Sequence, residues 1–205
     1  MTKRKFMIID LLILTAIGLV IEAVSLIFQF RYGSSGFYRI GENIYYYFPI
    51  SITLVPVVIF IAIFRWDLKG VIVSFPLTLA TCIIHSFFNP EKVSGYIYVV
   101  YLVGTLLVAL NVLWFQLLSK NKMSKNLLII IAYTLTGYLL IACGRSLIAL
   151  FYGIEFLATL YEFLVQDLLS IVIGTVVIVI IYFQKTILVD IDQYLLSIKE
   201  DEGVK

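Results

Sequence analysis

The run LLIIIAYTLTGYLLIACGRSLIALFY, Leu127 to Tyr152, decides the fold. It is long enough to cross a bilayer as a helix, for which about 20 mainly apolar residues suffice. Deep inside it stands Gly144-Arg145-Ser146. An arginine at the centre of a spanning helix costs roughly 2.5 to 3.5 kcal/mol even on lenient insertion scales. It persists only where a carboxylate, backbone carbonyls, trapped water or a bound anion stabilises it. Partners must therefore be sought in the other apolar runs, and the first offers Glu22 while the third offers His85.

Those other runs set the fold class. The chain has 205 residues, 62% of them hydrophobic, and a mean hydropathy of +1.06, which excludes a soluble domain and predicts an all-α polytopic membrane protein. Backbone groups in lipid must be satisfied internally, so only helices or closed barrels span it, and continuous apolar runs do not alternate as barrel strands do. Six spans are expected: Met7–Phe30, Tyr47–Phe64, Val71–Phe88, Tyr96–Leu118, Leu127–Tyr152 and Asp167–Phe183. They form one bundle over residues 1–185. Connections are short except Arg31–Tyr46 and Gly153–Gln166, both read as loops. Lys3, Arg4 and Lys5 with Ala23-Val24-Ser25 imitate a cleavable leader, but the run continues to Phe30 and contains Glu22, so it reads as a first helix.

Lysine and arginine fix the orientation. One side carries Lys3, Arg4, Lys5, Arg65, Lys69, Lys120, Lys122, Lys125 and Lys185, and the other only Arg31, Arg39 and Lys92. The positive-inside rule then makes both termini cytoplasmic in a multi-pass protein of a bacterial cell membrane, in contact with membrane lipids. The tail, residues 186–205, has Ile187, Leu188, Ile191, Leu195 and Ile198 at helical spacing, a stripe for a protein partner or for its own bundle. Tyrosines crowd the outer side, including Tyr98, Tyr101, Tyr152 and Tyr161, as an interfacial belt or as the lining of a pocket.

Polar residues inside the spans keep to single faces: Thr15, Gly18, Glu22, Ser25 and Gln29; Ser74, Thr78, Thr81 and His85; Thr134, Tyr138 and Arg145; Asp167, Ser170 and Gly174. Four such faces argue for a polar interior. Glu22, His85, Arg145 and Asp167 all fall in the outer half, which suggests a cavity open to the outside. One reading has Glu22 and Arg145 as an interhelical ion pair with His85 a core residue; the other has the cluster binding a small anionic or zwitterionic solute. A third draws a thiol–imidazole pair from Cys82 and His85, without an identifiable oxyanion stabiliser. No catalytic residue, cofactor, metal site or nucleic-acid partner is expected: the chain has no GxxxxGK[ST] loop, no HExxH pair and no CxxC.

Six short spans, a cytoplasmic N-terminus and a polar outer half resemble the substrate-binding S components of energy-coupling factor transporters. The turn Arg65-Trp66-Asp67-Leu68-Lys69-Gly70 and the run Gly95-Tyr96 to Tyr101-Leu102-Val103-Gly104 are similar to segments of that family, and the first helix offers Ala16, Gly18 and Ala23 as small residues without an Ala-x-x-x-Ala. The resemblance implies a non-enzymatic subunit that captures a vitamin-like micronutrient outside. It implies a transmembrane coupling subunit, docked on Ala16, Gly18 and Ala23, and two ATPases as partners. The solute contacts would be Glu22, His85, Arg145, Tyr98, Tyr101 and Tyr138, and the first loop, with Gly33, Gly36 and Gly41, the lid. A membrane scaffold similar to the rod-shape morphogenesis protein of cell-wall complexes is the alternative.

Overall fold

The computed structural model describes residues 3–32, 38–40, 44–46, 50–88, 95–184, 187, 188 and 191. Within them the chain is all-helical apart from one short hairpin. The helices are α1 (Lys3–Tyr32), α2 (Ile50–Trp66), α3 (Ser74–Phe88), α4 (Gly95–Thr105), α5 (Leu113–Leu117), α6 (Lys120–Met123), α7 (Leu127–Leu150), α8 (Phe156–Gln166) and α9 (Leu168–Phe183). Two 3-10 segments, Asp67–Val73 and Leu106–Val112, join α2 to α3 and α4 to α5. The hairpin pairs β1 (Tyr38–Ile40) with β2 (Ile44–Tyr46), with Tyr38 opposite Tyr46 and Ile40 opposite Ile44. The glycines of the expected lid, Gly33, Gly36 and Gly41, lie outside the described residues.

Helices fall where the apolar runs lie. Lys3–Ile27, Tyr98–Leu117 and Leu127–Leu150 are long and apolar enough to cross a membrane. Phe156–Val165 and Leu168–Phe183, bent by 56° at their junction, make a fourth crossing if they act as one span. Such helices are compatible with a membrane location. α2 and α3, at 17 and 15 residues, are shorter than the roughly 20 that a bilayer asks of a straight helix.

α2 is the hub. Ile59, Phe60, Ala62, Ile63 and Phe64 are all but fully enclosed, so the helix is apolar and buried on every side, as its composition dictates. α1 packs on α2 and α3, while α7 packs on α2, α4, α8 and α9. Tyr133 of α7 is packed among Phe60, Phe64 and Phe115 and donates its hydroxyl to the Phe60 carbonyl at 3.0 Å. Nearby Tyr138 donates to the Thr53 carbonyl at 2.9 Å, in the turn before Pro56. Gly174 of α9 leaves room for that hydroxyl, because a Cβ there would overlap it. Leu188 and Ile191, on the tail's apolar stripe, are buried in this same core, so that part of the stripe packs on its own bundle. The rest of the tail lies outside the described residues.

One expectation needs correction. The connection Gly153–Gln166 is not a loop: from Phe156 it is helical, as α8. Phe156, Thr159, Leu160, Phe163 and Leu164 turn inward, a spacing of three and four that keeps one apolar face against α7, while Leu157, Tyr161 and Glu162 stay exposed.

At the end of the bundle where α1 begins, the chain is clamped. Arg65 Nη2 meets Asp10 Oδ1 at 2.9 Å, and Trp66 Nε1 donates to Asp10 Oδ2 at 2.5 Å. The following turn is tight, with Asp67 at φ 53° and Gly70 pressed against the Ala62 carbonyl, where a Cβ would collide. Lys120 closes the turn by an ion pair of 2.7 Å to Asp67, its ammonium 4.9 Å from the centre of the Phe115 ring.

Candidate functional site

The site is built on a close crossing of α4 and α7. Gly104 and Gly144 bring the two backbones into contact: a Cβ on Gly144 would overlap the Gly104 carbonyl, and one on Gly104 would strike the Arg145 backbone. Neither position can carry a side chain, so the crossing fixes which residues of the two helices face each other. It sets Arg145 beside Tyr101 and Thr105, one helical turn apart on α4.

Arg145 is buried, with 9% of its surface exposed, yet its partners are distant. Nη2 donates to Thr105 Oγ1 at 3.5 Å, and Nη1 lies 3.9 Å from Asp167 Oδ2. Charge-assisted bonds of this kind normally run at about 2.7 to 2.9 Å, so Asp167 neutralises the guanidinium without a proper hydrogen bond. Nε is buried and has no hydrogen-bond partner among the described residues. The closest support comes from aromatic faces, with Tyr101 at 4.3 Å and Phe163 at 5.9 Å from Cζ. A desolvated cation over a ring gains about 2 kcal/mol or more. The rings hold the charge in place but leave its donors unfilled.

Next to the guanidinium is a cavity of about 30 Å³, lined by Thr78, Thr81, Thr105, Tyr138, Arg145 and Asp167 on its polar side, with Phe163 and Leu164 of α8 among its apolar residues. Space of that size admits about one or two water molecules. Thr81 links it to Glu22, donating its hydroxyl to Glu22 Oε1. Glu22 is 2% exposed, and its second oxygen, Oε2, is buried without a hydrogen-bond partner among the described residues. Cys82, next to Thr81, lies within electrostatic range of both Arg145 and Glu22. Opposite charges therefore flank one turn of α3 without touching each other.

The expected residues are partly brought together. Arg145 and Tyr138 line the cavity, Tyr101 lies against the Arg145 guanidinium without lining it, and Glu22 reaches the wall through Thr81. Tyr98 is half-buried and does not line it. His85 lies on α3, its side chain outside the described residues. The ion-pair expectation is corrected: the carboxylate facing Arg145 belongs to Asp167, because α9 and not α1 delivers one to that crossing. Every described member of the four polar stripes is buried or half-buried. The small residues of α1 do not form one face. Ala16 and Ala23, seven positions apart, are exposed together, but Gly18 lies about 200° from Ala16 at 3.6 residues per turn and packs under Leu77. It is therefore corrected from a partner contact to an internal one.

Sequence reasoning missed Thr105 and Phe163. The four-residue step from Tyr101 to Thr105 was visible, but nothing in it identified α7 as the helix opposite. Among the described residues no cluster of three His, Cys, Asp or Glu side chains suits a metal ion, and Cys82 and Cys143 are free thiols. No protein-family model, curated protein or solved structure matches the chain.

Proposed function

We propose that the chain is a six-span membrane protein with both termini in the cytoplasm. In this reading it binds a small solute through an anionic group on Arg145, as the solute-capturing subunit of an energy-coupling factor type transporter. The observation that carries the reading is the state of Arg145: buried and charged, with one donor empty and no hydrogen-bond or ion-pair partner nearer than 3.5 Å among the described residues. A guanidinium built only to hold helices together would gain from short bidentate bonds, whereas one kept loosely paired beside a cavity can exchange its carboxylate for that of a guest. Asp167 suits the exchange, since its side chain is 23% exposed and can return to water when displaced. Tyr138 lines the pocket, Tyr101 supports the guanidinium from one side and Glu22 stands behind Thr81; in this reading Tyr98 and His85 are further solute contacts. Ala16 and Ala23 give α1 its free small-residue face for a coupling subunit served by two ATPases.

Metabolite pockets run to about 300–1,000 Å³, so the arrangement with a cavity of about 30 Å³ is the closed one. Admission requires α8 to lift, carrying Phe163 and Leu164 with it. Gly153 at φ 79° before α8 and the 56° bend after it are the two places where the backbone can turn. Mass spectrometry of the purified protein should find one small molecule retained, with a carboxylate or phosphate group, and Arg145→Ala should abolish both its retention and its thermal stabilisation. Retention unchanged in Arg145→Ala refutes the reading.

The filled interior favours one second reading, a membrane scaffold similar to the rod-shape morphogenesis protein, in which the polar cluster only joins helices. That reading expects no retained solute, and loss of protein partners when residues 185–205 are deleted.

A further inference from the structure

Two buried polar atoms are left over at this site, and they have opposite character. Arg145 Nε is a donor on a cation, and Glu22 Oε2 is an acceptor on a carboxylate. Among the described residues only one other side-chain atom, Arg65 Nε, shares that condition, and it lies at the far end of the bundle. Thr78, Thr81 and Thr105 line the cavity beside Arg145, and Thr81 joins that wall to Glu22 through its hydroxyl.

Charge accounting separates the candidate guests. Arg145 and Asp167 cancel, which leaves the Glu22 carboxyl group enclosed in the protein with no cation paired to it among the described residues. A guest bearing only an anion would take Asp167's place on Arg145 and add nothing for Glu22. The local charge would become more negative while a buried carboxylate stayed unpaired, a costly arrangement. A guest bearing only a cation would satisfy Glu22 and leave Arg145 as loosely held as before. A guest carrying both satisfies both: its carboxylate on Arg145 and its ammonium on Glu22 Oε2, with Asp167 released toward solvent. Building on the solute-binding reading above, we propose that the site takes a zwitterion, a small amino acid with a free ammonium and a free carboxylate.

The test compares sodium acetate, methylammonium chloride, glycine, β-alanine and 4-aminobutanoate at constant sodium and ionic strength, by thermal unfolding of the full chain in detergent or lipid nanodiscs. The three amino acids span a range of charge separations. At least one should stabilise the protein at a concentration tenfold or more below that at which acetate matches it. Glu22→Gln should remove that advantage and leave the acetate effect, and Arg145→Gln should remove both. An acetate effect that no amino acid improves on overturns the zwitterion while keeping the anion site; it is also the result expected if a proton alone satisfies Glu22. An advantage that survives Glu22→Gln overturns the assignment of the ammonium to Glu22. No stabilisation by any of the five overturns the solute-binding reading itself. Should Glu22→Gln fail to fold, the comparison of acetate with the amino acids in the unaltered chain still decides the matter.

Discussion

The bundle has a clamped end and a loose end. At the clamp, Asp10 receives Arg65 at 2.9 Å and Trp66 at 2.5 Å, and Asp67 receives Lys120 at 2.7 Å. At the other end Arg145 meets Thr105 at 3.5 Å and Asp167 at 3.9 Å, and the carboxylate of Glu22 is half satisfied. Both ends use the same residue types inside an apolar framework. The difference is the closeness of the pairing: the clamp's ion pairs have closed to contact, although Arg65 Nε there is as unpartnered among the described residues as Arg145 Nε, while the loose end holds its charges at longer range beside a cavity. A buried charge with spare capacity is expensive to keep, which makes it the more informative of the two.

Four substitutions break or sharpen that contrast. The largest effect is expected where a tight pair loses one member. Arg65→Met strands Asp10 and should destabilise the protein by about 3 to 5 kcal/mol, whereas Arg145→Met should change stability by less than about 1.5 kcal/mol, because an apolar side chain replaces a poorly bonded charge. Unfolding in mixed micelles reads both, and equal losses would erase the distinction between the two ends. Gly144→Val comes next: its side chain must push α4 off α7, at a cost of about 3 kcal/mol, the upper end of ordinary overpacking. The same variant should lose any thermal shift produced by a solute, since Thr105 and Tyr101 move away from Arg145. A normally stable Gly144→Val protein would show that the crossing does not hold the site. The smallest effect belongs to Asp67→Gly. Relief of a left-handed backbone gains about 1 to 2 kcal/mol, and loss of the half-exposed Lys120 pair costs up to about 1 kcal/mol, so the net change falls between about zero and about 2 kcal/mol in the stabilising direction. A clear destabilisation would mean that the Lys120 pair anchors the turn more strongly than its exposure suggests.

Much of the architecture was legible in the residues. Apolar runs marked the helices, and a polar step of three and four residues told which side of α1, α3, α7 and α9 turns inward, because helical periodicity is a local property. α8 was legible too, in Phe156, Leu160, Phe163 and Leu164, but its run is short and interrupted by Glu162, so it passed for a loop. The partner of Arg145 was not legible. Spacing along a helix gives the face and the depth of a side chain but not which neighbour stands opposite, and Glu22 and Asp167 lie at comparable depth. What separates them is the packing of α7 against α9 and α4, with the Gly104–Gly144 contact behind it. That is a long-range fact whose only trace in the sequence is two glycines, one in each of two runs.

α2 has no side left over for lipid. In the membrane-protein reading proposed above, it would leave the insertion machinery long before α7 and α9 exist, and its Phe60 and Phe64 would first meet acyl chains. Those chains must later be expelled when the C-terminal helices close round it. Chains that stop short of α9 are thus expected to hold an orphaned central helix, the feature by which membrane quality control would tell an unfinished copy from a finished one.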